Sequence, residues 1–215
     1  VEMSRGFYLV LMAGFPPTVT GLLTIVLVVV ALVHGSRLFR EELEDNTLAY
    51  LTTRRISKAS LVAYKFLGYY GSALFIVTLP ILASYVLAFS AAGLPLGDHL
   101  EVLGGFLAWA ALGIAAFGGI FLLVGFVLKP ALMAGLLYGF LWETVIPILP
   151  GNVPLLSVNH YLRSVAQHTM DVPFVLPTVT LPEPYVSVLV PLLVGAAGVV
   201  LTYVLFMTRE IKTRD

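Results

Sequence analysis

The chain has 215 residues, no cysteine, 59% hydrophobic residues and only 11% charged residues, with a mean hydropathy of +0.98. A soluble domain usually carries about 25% charged residues, so an ordinary soluble globule and a disordered segment are both excluded. Twelve basic and twelve acidic residues cancel, which removes the basic excess a nucleic-acid binder needs, and the lack of cysteine excludes disulfides, zinc thiolates, iron–sulfur clusters and thiol nucleophiles.

What remains is an all-α polytopic membrane bundle, a single transmembrane domain over 1–215. A helical crossing takes about 20 predominantly apolar residues, and lipid offers no partner for an unpaired backbone amide. Runs such as LLTIVLVVVALV do not alternate as barrel strands would. Residues 7–15 (FYLVLMAGF) are apolar but too short to span before Pro16 and Pro17. The first predicted span covers 17–35, followed by a polar loop over 36–58. The second covers 59–92, and the third, 101–128, has no charge after Glu101. The fourth covers 130–149, a proline-rich segment occupies 150–184, and the fifth span covers 185–208.

Ten of the twelve basic residues fall on one side: Arg37, Arg40, Arg54, Arg55, Lys58, Lys65, Lys129, Arg209, Lys212 and Arg214. Arg5 and Arg163 are alone on the other. The positive-inside rule places loop 36–58, Lys129 and the C-terminus in the cytoplasm of a multi-pass cell-membrane protein. The N-terminus and segments 93–100 and 150–184 then lie outside. A chain that starts outside, at Val1 and without a signal peptide, is expected to be a piece lacking an upstream sixth helix, or else a genuine N-out protein.

Loop 36–58 carries four acids (Glu41, Glu42, Glu44, Asp45) and then three bases (Arg54, Arg55, Lys58). That order suits the dipole of a short helix. Leu43, Thr47, Tyr50 and Leu51 make a modest apolar stripe at helical spacing. An acidic first turn is a poor fit to anionic inner-leaflet lipid, so the helix points to a protein partner.

The stretch Arg40–Lys65 resembles the signature of ATP-binding-cassette (ABC) transporter permeases of the type-2 exporter branch. There a span runs into an R-x-E-x-E-x-x-T-x-x-x-L pattern, followed by a turn, a basic residue and a lysine at the next span. The matching residues are Arg40, Glu42, Glu44, Thr47, Leu51, Ser57, Lys58 and Lys65. Asn46 stands where glycine is usual, and Arg55-Ile56 where a proline turn is usual. The resemblance implies six spans, the first missing here, and a re-entrant or interfacial segment before the last. It implies a coupling helix, with Arg40, Glu42, Glu44, Thr47, Leu51, Arg54 and Lys58 facing a cytoplasmic ATPase. It implies a second permease protomer, identical or different, and ATP with Mg held by the partner ATPase, with no cofactor in this chain. A non-transporting structural subunit of a larger membrane assembly is the other reading.

The chain has no G-x-x-x-x-G-K-[ST], H-E-x-x-H or G-x-S-x-G. No catalytic residue and no metal site are expected, since the histidines are scattered. In the outer segment, Val158, Tyr161, Leu162, Val165 and Ala166 recur at helical spacing, with Asn159, His160, Arg163, Ser164 and Gln167 opposite. Ser157 or Asn159 would cap this helix. It is either an outer gate, built on His160, Tyr161 and Arg163, or a helix on the membrane surface. Glu143 is the one acid deep in a span, where a carboxylate costs about 2.5 kcal/mol or more if central and charged. It lines a pathway, or it is bonded to Arg163 or to backbone freed by Pro147. Gly135 and Gly139, with the glycines of the third span, predict close helix packing.

Overall fold

The structure, a computed structural model, describes residues 21–40, 57–170 and 182–208. Their regular structure is entirely helical, joined by short turns, with no strand among them. The helices are α1 (Gly21–Arg37), α2 (Lys58–Ala91), α3 (Leu100–Val127), α4 (Ala131–Val145), α5 (Val158–Met170) and α6 (Pro184–Thr208). A 3-10 turn, Leu96–His99, leads into α3. Three helices are long and apolar enough to cross a membrane: α2, α3 with its leading turn, and α6. The ends of α2, α3 proper and α6 lie within a residue of the second, third and fifth predicted spans. The apolar helices at the first and fourth predicted spans, α1 and α4, are shorter.

Local chemistry sets the ends. Ser57 caps α2, its Oγ accepting the Ser60 N–H at 3.1 Å. At the far end Gly93 takes φ +66°, and the Leu94 N–H reaches back to the Phe89 carbonyl at 3.0 Å. That is the left-handed stop glycine adopts without a Cβ penalty. Between α3 and α4, Pro130 cannot continue the α3 ladder because it lacks an N–H.

Helix α3 is the centre of the bundle. In its membrane-length stretch 61% is buried, against 28% in α2 and 22% in α6. Between apolar helices in lipid, close van der Waals packing replaces the hydrophobic drive. Helices α3 and α6 touch backbone to backbone: a Cβ on Gly119 would meet the Gly195 carbonyl, and one on Gly198 would meet that of Gly119. The Gly135/Gly139 pair serves the same purpose within the chain. It packs against Leu32 and Val28 of α1.

The fourth predicted span is not one continuous α-helix. Leu137–Trp142 form a π turn, Glu143–Val145 return to α geometry, and Ile146–Ile148 tighten to 3-10. Pro147 sits in that last turn and cannot donate to an α ladder.

Helix α5 is neither draped across the bundle end nor polar on an exposed face. Leu162 packs at Gly113, where an added Cβ would stand 3.2 Å from Leu162 Cδ1. Gly113 lies about 20 Å along an α3 that is about 42 Å long. The expected polar face is largely turned inward: Asn159, His160 and Ser164 are at most 3% exposed.

Candidate functional site

Two groups of side chains stand out, one at each level of the bundle. The first sits where α1, α3 and α6 end and α2 begins. Phe39, Phe126 and Phe206 form a trefoil with ring centroids 5.8–6.1 Å apart. Val62 and Leu122 complete this buried cluster. Aromatic pairs of this kind add about 0.5–1.5 kcal/mol each beyond their burial. Two lysines lie over it: Lys65 Nζ is 4.9 Å from the Phe39 ring and Lys58 Nζ 5.3 Å from the Phe206 ring.

Lys65 also donates to the Leu38 carbonyl at 2.5 Å, and Arg40 donates to the Leu128 carbonyl at 3.3 Å. Both cations therefore meet carbonyls left open where a helix stops, the negative end of its dipole. Arg37 and Lys129 belong to the same end. Of the residues implied in ATPase coupling, Arg40 and Lys58 are placed here. Glu42, Glu44, Thr47, Leu51 and Arg54 lie outside the described residues.

The second group centres on Glu143, which is 1% exposed. It stands twelve residues beyond Ala131, about 18 Å along the helix. Its carboxylate accepts from the Tyr138 hydroxyl at 2.7 Å, the Ser157 hydroxyl at 2.6 Å, and the Val158 and Asn159 N–H groups at 3.2 and 2.8 Å. The Asn159 side-chain amide donates to the Glu143 carbonyl at 3.4 Å. A carboxylate from α4 thus caps α5. The Ser157 hydroxyl, one of the two caps expected, only adds a 3.4 Å contact from the His160 N–H. A negative charge at a helix N-terminus meets both open N–H groups and a favourable dipole.

The π turn makes this joint possible. Tyr138 and Glu143 are five apart, about 140° around an ordinary α-helix. A π turn, with its i to i+5 bonding, brings them onto one face.

Further along α5, Ser164 accepts from the Ser187 hydroxyl of α6 at 2.8 Å. Of the residues expected at an outer gate, His160 and Tyr161 are buried and Arg163 is half-buried. The Tyr161 hydroxyl donates to the Leu155 carbonyl at 3.0 Å. Burial holds the Arg163 guanidinium below its ordinary pKa, and the Glu143 charge opposes this. Burial, and then the charge of Arg163, push His160 down from the usual imidazole range. Arg163 therefore feels Glu143 electrostatically, while the carboxylate oxygens are taken by hydroxyls and backbone.

Tyr138 and Ser187 were not singled out from the sequence, and Ser164 only as one residue of a polar face. Nothing in an apolar run marks a tyrosine as the partner of an acid five residues on, because that pairing needs the π turn. No family model, curated protein or solved structure matches this chain.

Proposed function

We propose that the chain is the membrane-spanning permease subunit of an ATP-driven ABC-type exporter. The observation that carries this reading is the loop signature from Arg40 to Lys65, read with the anchoring of both its ends. Arg40 ties the start of the loop to the end of α3. Lys65, two turns into α2, ties that helix to the end of α1. A push delivered to such a loop reaches three helices at once, which is what coupling to a motor requires.

In this reading α1 and α4 complete a set of five spans, and the basic end faces the cytoplasm. Two permease protomers enclose the pathway, two ATPase subunits carry ATP and Mg, and this chain carries no chemistry.

ATPase activity of the complex purified in mild detergent tests it, with the unmodified chain beside Glu44→Arg. Reversing one charge at a docking surface costs several kcal/mol, so a loss of about tenfold or more in coupled activity is expected at about 1.4 kcal/mol per decade. A stable complex with no ATPase overturns the proposal in favour of a structural subunit. Lys65→Met is expected to leave the ATPase bound but to uncouple it, because the strap to Leu38 is lost while the loop surface is unchanged. Copurification with unaltered substrate stimulation of the ATPase would remove Lys65 from the coupling path.

A further inference from the structure

We propose that α5 is an acid-released latch: protonation of His160 loosens its first turn from the Glu143 joint. The latch is made of hydrogen bonds between neighbouring elements. Glu143 holds one end of α5, and Ser187 holds its middle through Ser164. Breaking the first set frees the N-terminus of α5 without disturbing the α3–α6 crossing.

His160 is placed to do this. It is 3% exposed, and its Nε2 has no hydrogen-bond partner. An imidazolium carries a hydrogen on both ring nitrogens, so the protonated ring holds a buried, charged Nε2–H with no acceptor, a costly group. It also puts a second positive charge three residues before Arg163. The new charge sits in the first turn of α5, the positive end of the helix dipole. All three effects act against the latched state.

Among the described residues, the other titratable groups at this turn are few. From α4 they are Glu143 and Tyr138, and from α5 itself Tyr161 and Arg163, with His168 two turns further on, bonded to Ser164. The buried residues of α3, α6 and the turn Val153–Leu156 include none. Among the described residues, Glu143 is the carboxylate bonded to this turn, and four donors already occupy it.

The sign follows from linkage. A histidine whose pKa is lower in the folded state leaves the latch at full strength above the free value of about 6.5. Strength is lost as pH falls below that value towards the depressed one. Each unit of depression makes the latched state about tenfold less favoured once His160 is protonated.

The chain has no cysteine, so a Leu141→Cys, Leu156→Cys pair carries two spin labels at exposed positions on α4 and just before α5. The interlabel distance is measured in lipid nanodiscs between about pH 7.5 and about pH 5. One narrow distance is expected at the higher pH, and a second, longer one growing in below about 6.5. His160→Phe should keep the narrow distance throughout, with His160→Gln as the alternative if the phenylalanine is not accommodated. Glu143→Gln should show the second population at both ends of the range. A distance that ignores pH overturns the proposal. So does a response that survives in the His160 variant that folds, which would assign the titration to another group such as His168.

Discussion

Gly119→Ala is expected to destabilise the bundle by about 3 kcal/mol or more, while Gly104→Ala in the same helix stabilises it. Both put the same methyl group on α3. At Gly104 nothing lies within 4 Å, so the change removes only the cost of glycine in a helix, up to about 1 kcal/mol. At Gly119 the new Cβ would stand 2.7 Å from the Cα of Gly195 and closer still to its carbonyl oxygen. Overpacking a core typically costs about 1–3 kcal/mol because side chains adjust. Here the obstacle is backbone of α6, which moves only if the two helices separate. A shift of roughly 6–12 °C in the unfolding midpoint follows for a chain of this size. Thermal unfolding in detergent checks it, with size exclusion for the oligomeric state. If the two variants unfold alike, the α3–α6 contact is looser than described.

The second large effect belongs to Glu143. Glu143→Ala removes the acceptor of two hydroxyls and two backbone N–H groups in a buried joint. Hydroxyls can turn to other partners, but the Val158 and Asn159 N–H groups are fixed by the helix they open. Each buried donor left unmet costs about 1–3 kcal/mol, so a loss of about 4 kcal/mol is expected. Glu143→Gln keeps one oxygen and the shape of the side chain but turns an amide donor towards other donors. It should cost about half as much. Tyr138→Phe deletes a single hydrogen bond to a charged group, about 1.5–3 kcal/mol in the general case and at the low end here, because three donors remain. The order alanine, glutamine, then the tyrosine variant is the outcome to look for in thermal unfolding. An unchanged midpoint in Glu143→Ala would mean that the α4–α5 joint contributes nothing to stability.

These two effects differ in how far the sequence announces them. Glycines spaced along an apolar span predict close approach, because small residues let backbones meet. They do not say which helix approaches. The pairing of Gly119 with Gly195 joins residues 76 apart, and no local pattern encodes it. Glu143 is conspicuous as a lone acid in an apolar run, and the physical demand that it be satisfied is legible at once. Its partners are not. Ser157, Val158 and Asn159 come to it only because α4 breaks into a π turn and the chain folds back along α3.

The same division holds at the basic end. In the sequence, Arg40, Lys58 and Lys65 are three of the ten basic residues on one side of the spans. What Arg40 and Lys65 hold is the carbonyl ends of α3 and α1, contacts across 88 and 27 residues.

By itself the sequence determined that the chain is helical and apolar enough for a membrane. It also placed the ends of α2, α3 and α6, because helix formation and its stops are local: apolar length, Ser57, Gly93 and the prolines. Only the tertiary structure decided that α3 is the centre, and that α5 turns most of its polar face inward. Amphipathic spacing says that a helix has two faces. Whether a face is buried depends on what waits there, and here both are: α3 receives Leu162 of the apolar face, while a carboxylate and a serine on neighbouring helices receive the polar one.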